Sequence, residues 1–127
     1  MGIRAYWDDD TTRSVLRIDF EGAWGWRDFH ELTQQVQVMA AQTATVILLV
    51  DTTHSRSIGT DAAAYLYNWI DLWPKNVGYT VVVSNQPMIT AVTTLLGRMN
   101  PRCRRTLVVN TLAAAQRTIA ERGADPE

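Results

Sequence analysis

Thr45–Asp51 reads TVILLVD, with five consecutive aliphatic residues from Val46 to Val50 between a threonine and an aspartate. A strand with one wet face alternates apolar and polar side chains. A strand apolar on both faces needs cover on both sides, so this stretch is expected at the centre of a sheet. Toward the N-terminus, Ile3, Ala5 and Trp7 alternate with Arg4 and Tyr6. Leu16, Ile18 and Phe20 then alternate with Val15, Arg17 and Asp19, and the polar Asp8–Arg13 between the two runs gives a β-hairpin. Glu21–Gly25 breaks the strand pattern. From Trp26 the spacing Phe29, Leu32, Val36, Met39 makes one stripe at helical period, ending near Gln42, with Gly25 as N-cap and Asp28 reaching back to it.

Toward the C-terminus, Thr52–Gly59 reads as a polar loop. Thr60 or Asp61 caps a helix running to about Trp73, where Pro74 stops it. Tyr79–Ser84 is the next strand. Pro87 opens a helix whose stripe is Met88, Val92, Leu95 and Met99, closed by Asn100-Pro101. Thr106–Asn110 is a last short strand, Thr111 caps a final helix bearing Leu112, Ala115 and Ile119, and Gly123 is its C-cap. The order ββαβαβαβα defines an α/β class with a mixed β-sheet and helices packed on it: an antiparallel hairpin followed by right-handed crossovers. One domain is expected, with its core over about 3–122 and a frayed tail from Ala124.

Composition narrows the function. The 127 residues carry 12 Lys and Arg against 13 Asp and Glu, a net charge of -1, which removes a bulk electrostatic case for nucleic acid. No apolar run approaches bilayer or signal-peptide length, so neither membrane insertion nor export is expected, and the cytoplasm is the expected compartment. The lone Cys103 has no partner for a disulfide, and although three arginines flank it, no base accompanies it. His30 and His54 lack the paired spacing of a metal site, and no cofactor is expected. Nucleotide-binding glycine fingerprints and nucleophile elbows are absent, so catalysis has no signature here.

Charge is unevenly spread. From Ala62 to Gly97 only Asp71 and Lys75 are charged among 36 residues, against 23 charged residues in the other 91. Two helices in that stretch should show charge outward if water covered them. Their outward positions are Tyr67, Asn68 and Asp71 on the helix before Pro74, and Thr90, Thr93, Thr94 and Gly97 on the helix after Pro87. That surface is expected to meet protein, as a homo-oligomer contact or with a regulatory partner. Arg98, Arg102, Arg104 and Arg105 form the densest basic cluster; they complement a helix C-terminus and offer an anion or partner patch. The rival reading is a small-ligand pocket, for a nucleotide or lipid, among Trp24, Trp26, His54 and Arg56.

The element order, the strand TVILLVD, the loop leading to a helix at Thr60 and the last helix VNTLAAAQRTIA together resemble a STAS domain. That family includes anti-sigma-factor antagonists and cytoplasmic domains of sulphate transporters. The resemblance covers about residues 3–122 and implies a non-catalytic regulatory domain that binds protein. Family members carry Asp-Ser-Ser-Gly at the start of the second helix, and counting from Asp51 this falls on Gly59-Thr60-Asp61-Ala62. Thr60 thus occupies the position of the phosphoacceptor, while Gly59, Asp61 and Ala62 depart from the pattern. A phosphate there would sit at a helix N-terminus, where amides and dipole stabilise it. The Trp-rich elbow Phe20–Trp26 is foreign to the family pattern and implies a divergent stand-alone branch. A receiver domain, suggested by Asp8–Asp10, Asp51 and Ser84, is excluded because a hairpin follows Asp10 and Asn110 stands where a lysine is required.

Overall fold

The computed structural model describes residues 2–9, 11–56, 74–99 and 105–123. The elements are β1 (Gly2–Trp7), β2 (Val15–Gly22), α1 (Trp26–Ala40), β3 (Val46–Ser55), β4 (Val77–Val83), α2 (Pro87–Met99), β5 (Thr106–Val109) and α3 (Leu112–Arg122). The helix expected over 60–73 lies outside the described residues. The strands form one mixed sheet in the order β1-β2-β3-β4-β5. β1 and β2 are antiparallel, and β2, β3, β4 and β5 run parallel.

Val46, Ile47, Leu48 and Leu49 are each no more than 1% exposed, as a strand apolar on both faces requires. One face packs Leu16, Ile18, Phe20, Val46 and Leu48 under Phe29, Leu32, Val36 and Ala40 of α1. The other packs Ile47, Leu49, Tyr79, Val81 and Val83 under Ala115, with Leu112 and Ile119 of α3 alongside. Each fully buried aliphatic or aromatic side chain contributes about 1.5–3 kcal/mol, so α1 is held by its stripe rather than by propensity.

Local signals act where they are placed. The Gly25 N–H donates to Asp28 Oδ2 at 3.0 Å, fixing the start of α1. Thr111 Oγ1 accepts the Ala114 N–H at 3.1 Å, and Gly123 takes φ 69° after α3. The hairpin turn holds Arg13 at φ 49°, with its N–H on Asp9 O at 2.9 Å and Asp9 Oδ1 taking the Thr11 N–H. Asn76 Nδ2 donates to Ala40 O at 2.8 Å and Thr43 O at 2.9 Å, satisfying carbonyls at the end of α1 from the segment before β4.

Two expectations need correction. Residues 52–55 are strand, not loop: β3 runs on to Ser55 because Thr52 Oγ1 donates to Val83 O at 2.7 Å and the Arg56 N–H reaches Gly22 O at 3.1 Å. Hydroxyls bonded to a neighbouring strand make a polar sequence strand-like. Leu95, expected in the buried stripe of its helix, is 47% exposed on α2.

Candidate functional site

Leu16, Ile18 and Phe20 turn toward α1, so period-two alternation sends Arg17 and Asp19 to the opposite face. Register then places Asp51 beside Asp19 on β3, and on β1 sets Arg4 opposite Asp19 and Tyr6 opposite Arg17. Asp19 is 7% exposed and Asp51 5%, so neither carboxylate has water enough to solvate it. Arg17 bridges them: its Nε lies 2.9 Å from Asp19 Oδ1 and its Nη2 3.5 Å from Asp51 Oδ2. The Tyr6 hydroxyl donates to Asp19 Oδ2 at 2.6 Å, and Arg4 Nη2 stands 3.5 Å from the same oxygen. Asp51 Oδ1 accepts the Thr53 N–H at 3.0 Å and its hydroxyl at 2.7 Å. Every carboxylate oxygen of the pair is therefore engaged.

The electrostatics follow from burial. Burial, the hydrogen bond to Asp19 and the charge of that carboxylate push the Tyr6 phenol up to about 12. Burial pulls the Arg17 guanidinium down, but its bond to Asp19 and the surrounding negative charge outweigh that and leave it raised. Asp8 Oδ1, 4.0 Å from Arg17 Nη1, adds a carboxylate at the outer rim. Both guanidiniums also lie over the Tyr6 ring, Arg4 at 5.2 Å and Arg17 at 5.8 Å from its centroid. The arrangement binds the hairpin to the central strand through charge-assisted bonds between strands.

Beyond this network the ladder is offset. Asp19 pairs with Asp51 and Glu21 with His54, so β3 carries two residues where β2 carries one. His54 is thereby aligned with Glu21, exposed, with Thr53 Oγ1 at 3.2 Å from its Nδ1. Trp24 reaches the same end of β3 from the other side, its Nε1 donating to Ser55 Oγ at 2.8 Å. Its ring is edge-on to Phe20 at 5.0 Å and to Trp26 at 5.1 Å, and Trp26 is edge-on to Phe29 at 5.2 Å. Trp24 and Trp26 thus come together at the end of the α1-side core, while His54 stands with Glu21 and Arg56 is exposed. Nearby, Gln86 Nε2 donates to Ser55 O at 2.8 Å, and its buried Oε1 has no hydrogen-bond partner among the described residues.

The remaining sequence-derived positions are spread widely. Thr90 and Thr94 are exposed on α2, Thr93 is half-buried, and Gly97 lies in the last turns of the same helix. Arg98 and Arg105 are exposed. Thr60, Tyr67, Asn68, Asp71, Arg102, Cys103 and Arg104 lie outside the described residues. His30 is exposed on α1, and among the described residues no three His, Cys, Asp or Glu side chains gather as a metal cage. No described helix is long and apolar enough to cross a membrane.

No protein-family model matches this chain, and no curated protein matches it.

Sequence reasoning missed the ionic network. The signal was present: Arg17 and Asp19 stand two apart in a strand, and Asp51 ends a run that has no wet face. A carboxylate continuing a doubly covered strand requires a cation, and Arg17 is the nearest one that alternation turns to that side.

Proposed function

We propose that this chain is a non-catalytic, STAS-like protein-interaction domain with a cytoplasmic regulatory role, associating through α2 with a second copy of itself. The observation that carries this reading is the outer surface of α2. Thr90, Ala91 and Thr94 are exposed, Leu95 is 47% exposed, and no charged residue occurs from Pro87 to Gly97. A helix that faces only water ordinarily carries ionic side chains there. Small hydroxyl and methyl groups allow another backbone to approach closely. An uncharged face also suits a two-fold contact, where each group meets its own copy and like charges would oppose one another.

The hairpin-first mixed sheet supports the same reading, as does the full engagement of the Asp19 and Asp51 oxygens, which leaves that pair as structural acceptors. Sedimentation velocity over a concentration series tests it. The wild type is expected to show a concentration-dependent dimer that Thr94→Lys and Leu95→Glu each abolish with the fold intact by circular dichroism. A wild type that stays monomeric throughout, or a dimer indifferent to both substitutions, overturns it.

A further inference from the structure

Among the described residues β1 is an edge strand of the sheet, paired on one side only. The Asp8 N–H donates to Val15 O at 2.9 Å, which makes Asp8 and Val15 a hydrogen-bonded pair of the antiparallel ladder. Such pairs alternate along the register, so Gly2, Arg4 and Tyr6 direct their backbone groups at β2. Ile3, Ala5 and Trp7 therefore aim their N–H and C=O groups outward, and no strand among the described residues pairs with them. A six-residue edge with three outward donor–acceptor sets is a template for an added strand.

Beside this edge runs a groove of about 300 Å³ between the start of β1 and one side of α1. Gly2 and Ile3 form one wall, and Asp28, Glu31, Leu32 and Gln35 form the other. Those helical positions are three and four apart and share one face. Leu32, 4% exposed, provides an apolar floor, while Asp28 and Glu31 are exposed above it. Glu31 makes no ion pair among the described residues, and Asp28 is engaged by the Gly25 N–H alone.

We infer that the β1 edge and the β1–α1 groove bind an extended peptide segment as a sixth strand, with a lysine or arginine of that segment placed between Asp28 and Glu31. The backbone edge supplies affinity without regard to sequence, and alternate side chains of the added strand fall on the α1 side, where Leu32 takes an apolar group and the carboxylates a cation. Charge complementarity selects the occupant: an acidic segment would meet Glu31, which has no ion-pair partner among the described residues. This site shares no residue with α2, so it stands or falls separately from the association proposed above.

Panning a phage library of random heptapeptides against the full chain tests it, followed by amide hydrogen exchange with the selected peptides in synthetic form. Selected sequences are expected to carry Lys or Arg at one position and β-branched residues at alternate ones, and their binding to slow exchange at Ile3, Ala5 and Trp7. Glu31→Gln should weaken them about two- to fivefold, the range of an exposed ion pair, and leave peptides with the basic residue replaced by norleucine unchanged. N-methylation of a central peptide amide should abolish binding, as should Ala5→Pro, which removes an outward N–H while sparing the bonds to β2. Selection of no binder, of acidic binders, or of binders that leave the three amides unprotected overturns the inference. So does protection of those amides by protein concentration alone, which would give the edge to a second copy.

Discussion

Replacing Arg17 with methionine isolates the network on the sheet, because methionine keeps much of the aliphatic stem and removes only the cation. In the native protein one guanidinium lies 2.9 Å from Asp19 and 3.5 Å from Asp51, and its side chain is only 16% exposed. Removing it leaves two carboxylates with 9% and 6% side-chain exposure, supported by the Tyr6 hydroxyl, by Arg4 at 3.5 Å and by Thr53. Breaking a buried ion pair from one side costs about 3–5 kcal/mol, and the residual exposure with the remaining donors places this case near the lower end, at about 3 kcal/mol. For a chain of this size that lowers Tm by about 10 °C. Urea unfolding at pH 7.5 reads the free energy, with an unchanged m-value showing that the denatured state is the same. Asp51→Asn combined with Arg17→Met is expected to cost less than the sum of the two single changes, since each removes part of what the other lacks. A variant within about 1 kcal/mol of the wild type at pH 7.5 would refute the reasoning.

Other consequences are checked as directly. The Tyr6 phenol ionises at about 12 in the folded protein against 10.0 ordinarily, so its contribution to stability is intact below pH 10 and is lost as pH rises from there toward 12. Ultraviolet difference absorption of the phenolate should show a late-titrating component that Tyr6→Phe removes, alongside that of Tyr79, whose phenol burial also pushes up. Asn76→Ala takes its donor from Thr43 O and one of two donors from Ala40 O, which keeps the Thr43 N–H, and should cost about 1 kcal/mol by urea unfolding, with faster amide exchange in the segment between α1 and β3.

What the sequence discloses and what it hides divide along the range of the interactions involved. Val46–Val50, the stripe Phe29–Leu32–Val36 and the caps at Thr111 and Gly123 are legible because their determinants lie within one or two turns of chain. The strand character of residues 52–55 is not, since it depends on Val83 for Thr52 and on Gly22 for Arg56, partners brought close only by folding. Trp24 was legible as an unusual residue but not as a donor to Ser55, thirty-one positions away. Alternation alone fits Arg17 and Asp19 to a solvated strand face or a buried ionic one, and only Asp51, ending a run with no wet face, decides for the second. Leu95 shows the converse: helical spacing assigned it to the core, while the face it occupies is half open.

The placement of charge across the fold follows one rule. Where β1, β2 and β3 lie side by side, ionic groups are concentrated and satisfied among themselves: Asp19 and Asp51 share Arg17, and Tyr6 and Thr53 complete the acceptors. Such a network fixes the pairing partner, because slipping β2 by one residue against β3 would turn Arg17 and Asp19 under α1 and leave Asp51 with neither. It therefore secures register where the antiparallel hairpin joins the parallel strands. Elsewhere the surfaces differ in kind. α2 carries no charge from Pro87 to Gly97, as the proposed self-contact requires, whereas on the β1–α1 groove Glu31 makes no ion pair among the described residues. On that groove wall an incoming cation would therefore meet a carboxylate free to pair with it, unlike Asp19 and Asp51, whose oxygens are already engaged.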